Sequence, residues 1–260
     1  MFSEGQIIAS DYQILSDLSE KDNREVYLAH SKKLQKNVII KKVMDTLDSS
    51  ANIDKEIENI KQINHVCLPR VYDFIRTGGT LYIVMEYITG KSFNEIICLR
   101  KTVSENRIVK WLSQITSALD YLGKLKIPVI HTDIKPKNIV IDEDDNLCLL
   151  GCNYIFNGDD TEQIMDITLP YASPEQYRKA GLFYDGKSHR KVTLDARTDV
   201  YSTAAVLYQI MTRNLPANPE AAGPAFTTVC IFFPCCCSAQ TASLSPKSQS
   251  RAVRSCSSGR

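Results

Sequence analysis

The sequence has no surplus of charge of either sign: 31 lysines and arginines meet 30 aspartates and glutamates, for a formal net charge of +1. That excludes the strongly basic balance expected of a nucleic-acid binder. The N-terminus, MFSEGQIIASDYQIL, has no basic segment followed by an apolar run, so it does not read as a secretory signal. No apolar run is long enough to predict a transmembrane segment; the most apolar window, Ala225 to Cys237, is short and is interrupted by Pro234. The run Cys235-Cys236-Cys237 has no Cys-x-x-Cys pair and no nearby histidine, which argues against a zinc site there. Cys67, Cys98, Cys148 and Cys152 are scattered among apolar neighbours, whereas Cys230, Cys235, Cys236, Cys237 and Cys256 crowd the last stretch. Thiols distributed in this way predict a reduced, cytoplasmic protein. There is no internal repeat.

At 43% hydrophobic and 23% charged, the 260 residues can bury a sizeable core. Tyr12 to Leu18, Val26 to His30 and Val38 to Val43 are short apolar, β-branched runs that read as strands. Asn52 to Ile63 changes period: Ile53, Ile57, Ile60 and Ile63 fall on one helical face. Val71 to Arg76 and Leu81 to Tyr87 flank Thr77-Gly78-Gly79-Thr80, a hairpin signal. After Gly90 the chain turns helical. Glu105 to Leu122 places Ile108, Leu112, Ile115 and Leu119 on one face, and Asp199 to Met211 is a second apolar helix. Between them, strands at Asn138 to Ile141 and Leu147 to Leu150 join through an acidic turn, Asp142 to Asn146. Ala217 to Arg260 has eight serines, no tyrosine and no periodicity, and reads as a disordered tail. Residues 221–260 carry four basic side chains and no acidic one, which leaves residues 1–220 at 27 against 30.

The chemistry concentrates in His131-Thr132-Asp133-Ile134-Lys135-Pro136-Lys137-Asn138. An aspartate, a lysine two residues on and an asparagine five residues on, on a loop feeding a strand, bring together a proton acceptor, a phosphate-directed cation and a metal-ligating carbonyl. This segment resembles the catalytic loop of serine/threonine protein kinases, in a bacterial flavour. The resemblance implies an α+β, two-lobed fold: a β-rich N-lobe over 1–88, a mostly helical, incomplete C-lobe over 89–216, and a tail over 217–260. It makes Asp133, Lys135 and Asn138 the catalytic residues, with Asn138 also the metal ligand. By the same resemblance Lys41 pairs with Glu56, Met85 is the gatekeeper, and Val26, Glu86, Ile88 and Val140 line the nucleotide site. His131, Thr168, Glu175 and Asp199 take structural positions. ATP is the implied nucleotide.

Several departures from the family pattern stand out. Where the family has Asp-Phe-Gly, with the aspartate holding Mg²⁺, this chain has Gly151-Cys152-Asn153, which argues against Mg²⁺. The three glycines of the phosphate loop fall at Ser19, Lys21 and Arg24, whose side chains obstruct the approach of backbone to phosphate. Ile39 replaces a small alanine over adenine, Cys152 replaces a packed phenylalanine, and Thr132 replaces an arginine that docks a phosphorylated segment carrying Thr161 and Thr168. Glu175 lacks its customary arginine partner. The tail reads as a truncated or frame-shifted continuation.

Three functions are consistent with this pattern: a pseudokinase acting as scaffold or regulator, an atypical active kinase, and a non-functional kinase fragment. The first is the leading expectation, with an unidentified protein as partner or substrate and no nucleic acid.

Overall fold

A computed structural model describes residues 1–19, 25–45, 51–99, 102–152, 168, 170–180 and 192–216, with the side chains of residues 44, 45, 51–53, 55 and 56 outside that description. Lys21, Arg24, Asn153, Thr161 and the 217–260 tail therefore lie outside the described residues, as does the side chain of Glu56.

Six strands form one antiparallel sheet: β1 (Ile7–Ile8), β2 (Tyr12–Asp17), β3 (Val26–Ser31), β4 (Lys36–Asp45), β5 (Val71–Thr77) and β6 (Thr80–Glu86), in the order β1-β2-β3-β4-β6-β5. Strand alternation divides their side chains between two faces. Ile14, Tyr27, Ala29, Val38, Ile40, Tyr82 and Val84 pack into a buried core on one face. The register pairs Val26 with Lys41, Leu28 with Ile39 and Ile39 with Met85. Directly opposed residues share a face, so Val26, Ile39, Lys41 and Met85 lie together on the other one. The predicted hairpin closes with Thr77 opposite Thr80.

A buried carboxylate that pattern reading did not single out sits at the start of β3. Glu25 accepts hydrogen bonds from the Tyr27 hydroxyl (2.8 Å) and the Tyr82 hydroxyl (3.0 Å), with Lys42 Nζ at 3.7 Å. Helix α1 (Ala51–Lys61) buries Ile57 and Ile60, followed by Ile63, on the face its period predicts.

At Gly90 (φ +156°) a Cβ would collide with the Ile141 carbonyl oxygen, which is the close approach that admits only glycine there. Beyond it come β7 (Lys91–Ser92), α2 (Phe93–Cys98), α3 (Glu105–Gly123), a turn of 3₁₀ helix (Pro136–Asn138), β8 (Ile139–Ile141) and β9 (Leu147–Leu149). Then follow α4 (Pro174–Lys179) and α5 (Ala196–Thr212). Strands β7, β8 and β9 make a small second sheet.

Helix α3 corrects the predicted face. Its buried residues are Trp111, Ile115, Ala118 and Leu122, while Ile108, Leu112 and Leu119 are half-buried. The apolar arc is wide, and the largest side chain takes its centre: Trp111 is fully buried with its ring centroid 5.0 Å from that of Phe93. Such an aromatic pair adds about 1 kcal/mol beyond the area it buries.

The segment after α1 stitches the β-rich part to the helical part. The Leu149 N–H donates to the Cys67 carbonyl (2.8 Å), and the Asn64 N–H donates to the Tyr121 hydroxyl (3.0 Å). Among the described residues no helix is long and apolar enough to cross a membrane.

Candidate active site

The loop from His131 to Asn138 is held from below by α5. Asp195 caps that helix through a hydrogen bond from the Arg197 N–H. The buried face of its first half is polar: Thr198, Asp199, Ser202 and Thr203. Asp199 Oδ2 accepts the His131 N–H at 2.7 Å, and Oδ1 accepts the Thr132 N–H at 2.8 Å. Burial pushes the Asp199 carboxyl up to about 6, against the pull of these two N–H donors. The anchoring answers a strain, because Thr132 has φ +64°, a region β-branched residues avoid. Gln176 adds a second anchor, its Nε2 donating to the Thr132 carbonyl at 2.7 Å.

His131 is fully buried, and desolvation pulls its imidazole down to about 4. Its hydrogen bonds define one neutral tautomer. Nδ1 accepts the Asp133 N–H (3.3 Å), so Nε2 carries the proton and donates to the Leu150 carbonyl (2.9 Å). Through this ring the loop is tied to the end of β9.

The Asp133 carboxylate is engaged on both oxygens. Oδ1 meets Lys135 Nζ at 2.9 Å and accepts the Thr168 hydroxyl at 3.2 Å; Oδ2 accepts Asn138 Nδ2 at 2.9 Å. Lys135 also donates to Thr168 Oγ1 (3.1 Å), and Asn138 Nδ2 donates to the Asp133 backbone carbonyl (2.7 Å). Asp133, Lys135, Asn138 and Thr168 are thus brought into one hydrogen-bonded ring. Beside it a small cleft is lined by Thr132, Asp133, Ile134, Tyr171 and Ser202.

Lys41 stands on β4 close enough for its charge to act on both His131 and Cys152. Whether it meets Glu56 lies outside the described residues. Val26, Ile39, Glu86 and Ile88 are half-buried, while Met85 and Val140 are buried. The Glu86 N–H is taken by the Arg70 carbonyl at 2.8 Å. Cys152 is buried, and desolvation drives its thiol far above the ordinary range.

Glu175 has a partner that the sequence reading did not supply: the Thr198 hydroxyl donates to its Oε1 at 2.9 Å. Gln176 was also missed. Ser173 and Gln176 form a reciprocal capping box at the start of α4, with the Ser173 N–H donating to Gln176 Oε1 at 2.9 Å. The Ser-x-x-Gln spacing was the signal that could have found it.

The profile of the protein kinase domain family matches residues 12–250 of this chain. The chain belongs to the protein kinase family. Serine/threonine-protein kinase pkn3 of Myxococcus xanthus is 30% identical over 236 residues, covering 84% of this chain and 40% of the relative. The kinase domain spans only about a third to two-fifths of the curated relatives it matches first. Among solved structures, the Mycobacterium tuberculosis PknI kinase domain superposes with a TM-score of 0.62 at 20% identity, covering 86% of this chain and 81% of that one. Rad53 in complex with AMP-PNP gives 0.60 at 21%, covering 80% and 50%. These likenesses establish the two-lobed kinase fold.

Family members use a nucleotide with a divalent cation, and the residues of this kinase domain do not fit the cation. Gly151 brings no carboxylate where the family's metal-holding aspartate stands; Asn138 gives its amide nitrogen to Asp133, which leaves its oxygen as the one remaining candidate ligand of the pair. Among the described residues no cluster of three or more histidine, cysteine or acidic side chains could hold a metal.

Proposed function

We propose that this chain is a serine/threonine-kinase-like pseudokinase, a cytoplasmic domain that binds a protein partner and transfers phosphate weakly or not at all. Residues 1–88 are its N-lobe and 89–216 its C-lobe through α5. The observation that carries the reading is Gly151 where the metal-holding aspartate would stand. Phosphoryl transfer relies on neutralising phosphate charge in a water-poor site. Without a carboxylate in direct contact, the metal that does so has no firm seat. ATP is the proposed ligand, held between Val26 and Val140 with Lys41 toward the phosphates, apart from the small cleft beside Thr132 and Tyr171.

A second reading, an atypical active kinase, is favoured by the ring of Asp133, Lys135 and Thr168, whose geometry suits a proton acceptor beside a substrate hydroxyl.

Thermal unfolding with ATP, in Mg²⁺ and in chelator, separates the two. A ligand that prefers the native state raises the midpoint by mass action. An equal rise with and without metal supports a nucleotide-binding pseudokinase, and no rise supports a scaffold with a closed pocket. A rise that needs ATP and Mg²⁺ together supports the active kinase.

A further inference from the structure

We propose that residues 2–6 are an intramolecular latch: from the face of the sheet opposite Val26 and Lys41 they hold the start of β3, and with it the rim of the proposed nucleotide site, so that releasing the latch loosens that rim. The bearing on nucleotide rests on ATP as the ligand; the latch itself does not.

Phe2 lies against two tyrosines on different strands. Its ring centroid is 5.2 Å from that of Tyr27 on β3 and 4.9 Å from that of Tyr82 on β6. Its backbone N–H donates to the Tyr27 hydroxyl at 3.1 Å, and that hydroxyl donates onward to Glu25 Oε2 at 2.8 Å. The Tyr82 hydroxyl reaches the same oxygen at 3.0 Å. The two phenols that Phe2 packs on are thus the two that hold the buried Glu25 carboxylate. A hydroxyl has one proton to give. Tyr27 gives it to Glu25 and accepts from Phe2, so the donors run in one direction, each strengthening the next.

Glu25 directly precedes Val26, whose side chain faces the other way, with Lys41. The Glu25 carbonyl accepts the Lys42 N–H at 2.8 Å, the Val26 carbonyl accepts the Leu18 N–H at 2.7 Å, and the Val26 N–H donates to Ser19 Oγ at 3.0 Å. These bonds close the neck of the hairpin whose far end is the phosphate-loop segment. Phe2 on one face and the rim on the other therefore act on the same two residues, Glu25 and Val26. Residues 3–6 are more lightly held. Ser3 and Gln6 bond to each other, and the backbone meets the sheet through Gly5 N–H to the Ile14 carbonyl (2.9 Å) and Ile14 N–H to the Gln6 carbonyl (2.8 Å). The strand that follows, β1, has two residues. A segment with so few ties opens at lower cost than the sheet it covers, which makes it a latch and not part of the core.

The test is hydrogen exchange, resolved to single amides by NMR, on the full chain as wild type, Phe2→Ala and Tyr82→Phe. Phe2→Ala removes the ring that covers the phenols, and Tyr82→Phe keeps its ring and removes one donor to Glu25. Both variants are expected to speed exchange at Leu18, Val26 and Lys42 by about tenfold and to leave the Ile115 amide in α3 at the wild-type rate. Unchanged rates at Leu18 and Val26 in Phe2→Ala overturn the latch. So does acceleration that extends equally to Ile115, since Phe2 would then support only global stability. Should Phe2→Ala fail to fold, Tyr82→Phe decides by the same criterion. ATP in chelator is the probe for the nucleotide site, read as the rise in thermal midpoint. A rise in wild type that shrinks in Phe2→Ala supports the coupling, and an equal rise in both overturns it. No rise in wild type sinks ATP as the ligand, and the exchange rates alone then decide the latch.

Discussion

Exchanging Gln176 for glutamate changes one atom's hydrogen-bonding sense at almost constant volume, at a residue only 2% exposed. In the native chain Gln176 Nε2 donates to the Thr132 carbonyl at 2.7 Å while Oε1 accepts the Ser173 N–H at 2.9 Å. Glutamate keeps the second bond and turns the first into two acceptors face to face. Losing one buried bond and setting an acceptor in place of its donor costs about 1–3 kcal/mol, and the buried charge adds to it, for a total of about 2–4 kcal/mol. In a chain of this size about 1 kcal/mol moves the midpoint by roughly 2–4 °C, so a loss of about 5–15 °C is expected at pH 8. The loss is pH-dependent. Once protonated, the carboxyl introduced by Gln176→Glu can donate as the amide did, so its folded pKa lies above the unfolded value. Its stabilising form is present at low pH and is lost as pH rises through that folded pKa. Chemical denaturation of wild type and Gln176→Glu at pH 5 and pH 8 reads the effect as the difference of differences. A variant as stable as wild type, or one equally damaged at both pH values, would refute the claim that Gln176 holds the strained Thr132 through its donor.

Other buried groups set the remaining expectations. The ring of His131, fully buried and pulled down to about 4 by desolvation, should remain neutral at pH 5 in an NMR titration. This neutral histidine contributes about 3 kcal/mol that is fully present above about pH 6.5 and lost as pH falls toward 4. Asp199, raised to about 6 by burial, acts in the opposite sense by losing its contribution as pH rises through that value, so acid unfolding should be shallow between about pH 4 and 6 and steeper in Asp199→Asn. Thr198→Val removes the donor to Glu175 Oε1 and should cost about 1–3 kcal/mol in urea denaturation, whereas Thr198→Ser should cost less. Under native conditions a thiol reagent should label exposed Cys98 well before buried Cys67, Cys148 and Cys152, whose thiols burial has raised. Site-resolved mass spectrometry checks the order.

Much of this architecture was legible from spacing. The hairpin at Gly78-Gly79, the helix carrying Ile57 and Ile60, and the order of strands around the Asp133 loop all follow from local pattern, and the structure places them as expected. What escaped was either too short for a period or set by tertiary contact. Helices α2 and α4 have six residues each and no measurable periodicity; their signals are the capping boxes at Ser92 and Ser173. In α3 the period identified the apolar arc and missed its centre, because Trp111 outweighs its neighbours in area buried. At the site, motif spacing pointed to Asp133, Lys135 and Asn138, and the family resemblance added Asp199. Neither could show that Asn138 lies over Gly151, since that contact depends on a φ angle and an amide orientation. The Gln176 bond to Thr132 joins residues 44 apart in sequence, and no single-sequence rule connects them.

The most direct test of the central claim is transfer of a labelled γ-phosphate from ATP, in Mg²⁺ and in Mn²⁺, to the chain itself and to a generic serine- and threonine-rich acceptor. Wild type and Asp133→Ala are to be run side by side. A pseudokinase should incorporate label only at the level of Asp133→Ala in either metal; incorporation that depends on Asp133 would contradict that reading.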